Sequence, residues 1–308
     1  MIKIKYEYKG RTKEIYTKLE YYNFSGSIKD RVIYYILEKA IKENKLKKGM
    51  TLVEATSGNT GVSLSAIGAK MGYKVKIFMP NWVSEERLKI MKLSGADVAL
   101  VSKDEGGFRK CIELAKKIEN ENNGFCTNQF SNKDNIEAHY NTTGKEICEK
   151  INVDAFVSGI GTGGTLMGVG KRIKEENSKA KIYALEPETM SLIKCKNIGN
   201  HKIEGIGDDF IPDIVNTQEI EDIFLIKDED AINMSKKISR ELGIGVGISS
   251  GANFLAAIQC AEIEKGNIVT VFPDDLKKYL STDFSKEKNE NNKELISDQI
   301  KLIDFVTI

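Results

Sequence analysis

The sequence predicts an α/β protein of two domains, with mostly parallel, twisted sheets flanked by helices and a cleft between the domains. Three observations lead there. Short β-branched runs alternate with longer amphipathic segments, and strand, helix, strand in succession implies parallel strands covered by helices. Loops of glycine and hydroxyl residues follow strand-like runs directly, and the carboxyl ends of parallel strands are where such sheets gather ligands. The length of 308 residues suits about two domains or one large α/β unit.

Apolar β-branched runs place strands at residues 51–55, 74–79, 98–102, 155–158, 181–185, 223–226 and 268–272. Between them, helical patterns cover 28–42, 84–93, 108–120 and 229–242. Ser84 followed by Glu85 and Glu86 reads as an N-cap with first-turn acids, and Gly95 stands where a helix-stopping glycine belongs. Residues 285–292 form a polar, linker-like stretch, and the amphipathic pattern of 294–306 reads equally as a docked helix or an undocked tail. A smaller, mobile α/β domain is expected over 40–126. A larger one combines 1–39 with 127–284, and 285–308 is left as a polar C-terminal tail.

Composition removes several function classes. Lys and Arg number 46 against 45 Asp and Glu, a net charge of +1, so no bulk field draws nucleic acid or an anionic membrane. The Lys-rich stretch 42–48 is interleaved with Glu and reads as solvated surface. The apolar runs fall short of the ~20 residues of a bilayer span, and the start, MIKIKYEYKGR, has no apolar leader core. A cytoplasmic enzyme is the expectation. The five cysteines are odd in number, scattered and never in a Cys-x-x-Cys pair, and His139 and His201 are the only histidines. That argues against a disulfide framework or a metal site. The chemistry is left to Lys, Ser, Thr, Asp or a borrowed cofactor.

Four segments point to one small ligand. In Ser25-Gly26-Ser27-Ile28-Lys29-Asp30-Arg31, Lys29 falls in the first turn of a helix. The positive end of the helix dipole favours a neutral amine there, which Schiff-base chemistry requires. Thr56-Ser57-Gly58-Asn59-Thr60-Gly61 sits at a strand-to-helix switch and offers backbone N–H groups to a small anion. Gly161-Thr162-Gly163-Gly164-Thr165 repeats that arrangement, with neither a P-loop lysine nor the full dinucleotide-binding spacing. Gly247-Ile248-Ser249-Ser250-Gly251-Ala252 opens a helix of small residues. Taken singly, each loop reads equally as a tight turn with a cap; together with one lysine they describe a site for a phosphorylated molecule that forms an imine.

In order and approximate spacing, SGSIKDR, TSGNTG, GTGGT and GISSGA resemble the cysteine synthase and cystathionine β-synthase family, the fold-type II pyridoxal-phosphate (PLP) enzymes. The resemblance runs from about Leu19 to Thr282 and takes in NQFSN, HYNTTGKEI, HKIEGIG and FPDDLKKYLST. It implies a PLP cofactor in the interdomain cleft, a small amino-acid substrate and a homodimer. Lys29 would bind PLP as an imine and act as general base. Asn59 would bond the ring 3-hydroxyl, and Gly161, Thr162, Gly163, Gly164 and Thr165 the phosphate. Ser249, with Ser250 as the neighbouring alternative, would face the pyridine nitrogen. The substrate carboxylate would sit on Thr56, Ser57, Gly58 and Thr60, with Gln129 helping. A serine at the ring nitrogen, unlike a carboxylate, does not keep it protonated, which steers the electron sink toward β-elimination over transamination.

The implied activity is β-replacement through an α-aminoacrylate on O-acetylserine or cysteine. Two stretches depart from the family pattern. The N-terminal KIKYEYKGRTKEIYTKLEYYN lacks the usual Ile-Gly-x-Thr-Pro-Leu-like segment. GIGDDFIP carries Asp208 and Asp209 where common cysteine synthases have small neutral residues; cystathionine β-synthases have an acid at the second position. If either aspartate activates a weak nucleophile, the alternative is consumption of cysteine with release of sulfide, giving serine or lanthionine. A β-eliminating dehydratase is disfavoured by the TSGNTG and GISSGA forms. A regulatory partner of serine acetyltransferase is suggested only by Asn200, His201 and Lys202, which carry half of that pattern. His139 reads as structural, and Trp82 as packing on a domain surface.

Overall fold

The structure, a computed structural model, describes residues 1–56, 58–121, 124–286 and 295–308. The chain opens with a hairpin of β1 (Ile2–Tyr8) and β2 (Arg11–Leu19), turned by Lys9 and Gly10, both with positive φ. α1 (Lys29–Lys42) follows. Next come β3 (Thr51–Ala55), α2 (Asn59–Met71), β4 (Lys74–Pro80), α3 (Glu85–Leu93), β5 (Asp97–Val101), α4 (Gly107–Asn120) and β6 (Gly124–Cys126). α5 (Asp134–His139) runs through a π-helical turn at Tyr140–Gly144 into α6 (Lys145–Cys148). β7 (Ala155–Gly159), α7 (Gly164–Glu176), β8 (Lys181–Pro187), β9 (Ile223–Ile226), α8 (Asp228–Leu242), α9 (Ile248–Ile263), β10 (Ile268–Phe272) and β11 (Lys301–Thr307) complete the chain.

The strands form two sheets, β11-β1-β2-β10-β7-β8-β9 and β5-β4-β3-β6. The smaller sheet is wholly parallel. In the larger, β2, β10, β7, β8 and β9 run parallel, and β1 pairs antiparallel with both β2 and β11. The predicted α/β class, mostly parallel sheets flanked by helices, is what the chain forms.

Alternation explains the hairpin: Ile2, Ile4, Tyr6 and Tyr8 are buried while the residues between them are more exposed, the period of a strand with one face on a core. By contrast β10 (Ile-Val-Thr-Val-Phe) is buried at every residue, as befits a central parallel strand. α8 and α9 cover one face of the large sheet, while Leu166, Val169 and Ile173 of α7 pack with Phe156, Val269 and Val271 in a second core. α1 serves both units. Ile28, just ahead of it, belongs to that second core, whereas Ile33, Leu37 and Ala40 pack with Leu52, Val62 and Ile77 of the small sheet.

Two expectations are corrected. The tail is a strand, not a docked helix: Lys301–Thr307 pairs with β1 from Ile2↔Thr307 to Glu7↔Lys301, and Leu302 is buried on the core. Its β-branched and aromatic residues suit the open edge of β1, and pairing there satisfies backbone groups that a surface helix would have left on an exposed strand edge. Glu294, the start of the amphipathic pattern, lies outside the described residues. Ser84 does occupy the N-cap of α3, but its hydroxyl makes no capping bond. Gly95 has φ +84° just past α3, the left-handed stop its position suggested.

Candidate active site

Residues following the carboxyl ends of β3, β7 and β10 meet between the two sheets, around an open cavity of about 560 Å³ and a deeper recess that shares Lys29, Asn59, Gly161 and Thr162 with it. The SGSIKDR segment explains how Lys29 gets there. Asp30 accepts from the Ser25 N–H (2.6 Å) and hydroxyl (2.5 Å), closing the turn. Arg31 forks to Glu20 (2.5 Å) and Glu146 (2.6 Å), anchoring the helix start. Lys29, directly before them at the start of α1, lines the cavity. Surrounded by protein, its amine is held below the ordinary lysine range by burial, against the pull of the Asp274 and Asp208 carboxylates.

Asn59, the first residue of α2, donates from Nδ2 to Asp274 (2.7 Å), and its Oδ1 has no partner among the described residues. Thr60 donates to Gln129 Oε1 (2.6 Å), and the Gly58 N–H donates to the Thr56 hydroxyl (3.1 Å). Thr56, Gly58, Thr60 and Gln129 all line the open cavity. Ser57 lies outside the described residues.

The Gly161–Thr165 loop joins β7 to α7. Gly163, at φ +87°, takes a backbone conformation in which a side chain is strained, and a Cβ on Gly161 would fall 2.3 Å from the Gly205 carbonyl oxygen. Gly161, Thr162, Gly163 and Thr165 line the recess with Ser249, in the first turn of α9. Gly164 does not line it; it packs on α5, where an added Cβ would meet Asn135 Oδ1 at 1.9 Å. Ser250 is fully buried, its hydroxyl without a partner among the described residues, and lines neither space.

Two side chains of α5 brace this loop from behind. Asn135 Nδ2 donates to the Thr162 hydroxyl (3.0 Å), and His139 bridges Thr143 (2.9 Å) and Thr165 (3.2 Å) through its two ring nitrogens. Burial first, then the charges of Lys29 and Arg31, hold the His139 ring well below its usual range, so it is neutral. Its structural reading therefore extends to a role in orienting Thr165.

The 201–210 loop forms the rim. Asp208 lines the cavity; burial, then the neighbouring Asp209, raises its carboxyl to about 6, against the pull of Lys29. Asp209 lines neither space and faces Arg109 of α4 (3.4 Å). Phe108, Phe130 and Phe210 stack edge to face across the mouth, with centroids 6.1 and 4.9 Å apart. Trp82, His201 and Lys202 line the opening, so Trp82 belongs to the site's entrance as well as to the surface.

Sequence reasoning passed over Asp274, Arg87, Glu204 and Asn135. Arg87 is buried among Glu204, Asp274 and the Tyr279 ring, 4.6 Å from the ring centroid. Its only trace in the sequence is a charged helix of ordinary surface composition. Asp274 carried a better signal: an acid two residues after the fully buried, β-branched-rich β10, just past a strand's carboxyl end.

Comparison with known proteins agrees with this geometry. A family model described as pyridoxal-phosphate dependent enzyme matches residues 2–274. A Staphylococcus aureus cysteine synthase is 43% identical over 274 residues, covering 87% of this chain and 88% of that protein. A hydrogen sulfide-producing enzyme of Fusobacterium nucleatum has a TM-score of 0.95 and 46% identity, over 100% of this chain and 95% of that one. An aspartate-to-asparagine variant of that enzyme has been solved in complex with an α-aminoacrylate intermediate. The cysteine synthase of Entamoeba histolytica has a TM-score of 0.86 and 39% identity, over 96% of this chain and 90% of that one. With the family model spanning nearly the whole chain, this protein belongs to the pyridoxal-phosphate dependent enzymes, and within them to the cysteine synthase-like group of fold-type II.

Proposed function

We propose that the chain catalyses PLP-dependent β-replacement with cysteine as first substrate, releasing sulfide and adding a weak nucleophile, water or a second cysteine thiol, at the vacated β-carbon. The residues present fit the cofactor. The recess offers a lysine amine for the aldehyde, an Asn59 amide whose oxygen has no partner among the described residues for the ring hydroxyl, and the Ser249 hydroxyl for the ring nitrogen. A glycine loop with two braced threonines at the start of α7 suits a phosphate dianion. When bound, PLP supplies an electrophilic aldehyde for amines and an electron sink for the substrate α-carbon.

The chain's own groups do the rest. Thr56, Thr60 and Gln129 orient the substrate carboxylate. The Lys29 amine, its proton affinity lowered by burial, removes the α-proton and later returns it. The Cβ–S bond breaks and sulfide leaves. Asp208 takes the proton of the incoming nucleophile as its oxygen or sulfur bonds to Cβ. Cysteine and water thus give serine and hydrogen sulfide; two cysteines give lanthionine and hydrogen sulfide.

The observation that carries this reading is the placement of Asp208: a carboxyl raised to about 6 on the cavity wall, within electrostatic reach of Lys29. Bisulfide is already a strong nucleophile and needs no base; water does. The likeness to a sulfide-producing enzyme over the whole chain supports the same direction. A second reading, synthesis of cysteine from O-acetylserine and sulfide, is favoured by the 43% identity to a cysteine synthase. The test is product analysis by mass spectrometry of the PLP-loaded protein given cysteine, or O-acetylserine with sulfide. Sulfide from cysteine with matching serine or lanthionine is the expected result; turnover of O-acetylserine with sulfide alone would overturn it in favour of the second reading.

A further inference from the structure

Two residues past β10 stands a carboxylate that no part of the reaction above employs. Asp274 is 0% exposed. One oxygen, Oδ2, accepts from Asn59 Nδ2 at 2.7 Å and from the Tyr279 hydroxyl at 2.7 Å, with Arg87 3.9 Å away. Among the described residues Oδ1 has no partner, and it sits against Gly247, where an added Cβ would fall 2.0 Å from it. The backbone at Asp274 is pinned too: it bridges to Ser27, two residues before Lys29, and accepts from the Gly247 N–H at 3.0 Å.

We propose that Asp274 is a positioning residue for the cofactor, holding the Asn59 amide in the one orientation that meets the PLP ring and tying it to Arg87 beneath the substrate loop. A carboxylate only accepts, so Asn59 must turn its nitrogen toward Asp274, and the amide loses its freedom to flip. Arg87 extends the tie. It stacks on the Tyr279 ring, and its Nε, with no partner among the described residues, lies where a Cβ on Gly58 would come within 3.3 Å, under the loop assigned to the substrate carboxylate. A buried ion pair with Arg87 alone would make Asp274 an architectural residue. At 3.9 Å that pair is looser than the two bonds to Asn59 and Tyr279, so the hydrogen bonds define the geometry.

This inference rests on the PLP assignment at Asn59. Its test is a double-mutant cycle read in cofactor affinity and in the visible absorption of the saturated protein at one pH. Asp274→Ala is expected to weaken PLP binding roughly tenfold and displace the absorption band, about the scale of a lost positioning bond. Asp274→Asn restores an acceptor toward Asn59 and is expected within about threefold of the parent. The double variant with Asn59→Ala is expected to bind no worse than Asn59→Ala alone, because one residue acts through the other. Effects that multiply independently, an Asn variant as weak as Ala, or an unmoved Asp274→Ala would each overturn the proposal. Should Asp274→Ala not fold, Tyr279→Phe loosens the same carboxylate while keeping the ring: a band displaced in the direction of Asn59→Ala supports it, an unmoved band sinks it. A parent protein that binds no PLP defeats the underlying assignment, whereas a parent that binds with unaffected variants defeats this inference alone.

Discussion

The floor and the rim of the cavity are built differently. The floor, Gly161–Thr165 with Lys29 and Asn59, sits on the ends of central strands and the first turns of α1, α2 and α7, and α5 braces it from behind. The rim, residues 201–210, is a loop without regular structure whose contacts reach across to α3 and α4. Floors of this kind hold a group in place, and rims choose what it reacts with. The cofactor chemistry shared with relatives is therefore assigned to the floor, and the choice of nucleophile to the rim.

Breaking the floor should cost most. Lys29→Ala is expected to lower sulfide release from cysteine by about 10³-fold or more, the upper range for a lost general base; turnover near that of the parent would refute the assignment. Gly163→Ala places a side chain at φ +87° on Val215, 2.2 Å from its Cγ2. It is expected to weaken PLP binding about tenfold through strain of about 1–3 kcal/mol, measured by titrating the apo-protein.

The rim sharpens the comparison. Asp208→Asn is expected to slow cysteine consumption about 10²-fold, within the range of a single base, while leaving PLP affinity alone. Because the carboxylate form is the base, the parent's rate should climb as pH rises through about 6, and the variant should lose that limb. Asp209→Asn, facing Arg109, should change the rate less than about threefold, as exposed pairs contribute little. Equal effects from the two aspartates would erase the distinction drawn within the rim.

The change expected to touch the reaction least lies in the small sheet and bears on stability alone. Glu54 of β3 is buried, accepts from the Thr127 hydroxyl and the Ala55 N–H, and is raised to about 7 chiefly by burial. Its folded value lies above its unfolded one, so its protonated form stabilises the protein at low pH. That contribution is lost as pH rises from about 4.5 through 7, by up to about 3 kcal/mol. Glu54→Gln should flatten the melting temperature over that window without altering the products.

Much of the floor was legible in the sequence because it is local. A glycine loop after an apolar run, or a lysine in a first turn, is visible within ten residues, and strands such as β10 announce themselves by continuous burial. The hairpin was not read from the sequence, although Ile2, Ile4, Tyr6 and Tyr8 alternate ahead of the Lys9-Gly10 turn, because the polar residues between them disguised it. Nor was the tail strand: its period fits a helix, and what decides is an open edge on β1 at the other end of the chain. Asp274 and Arg87 escaped for the same reason. Each looks like surface charge until Asn59, Tyr279 and Glu204 converge on it from distant segments.

The account stands on Lys29 being the amine that takes up PLP. Borohydride reduction of the PLP-loaded protein, followed by proteolysis and peptide mapping, should find the pyridoxyl label on the peptide that contains Lys29 and on no other. A label on a different lysine, or protein that takes up no PLP, would contradict it.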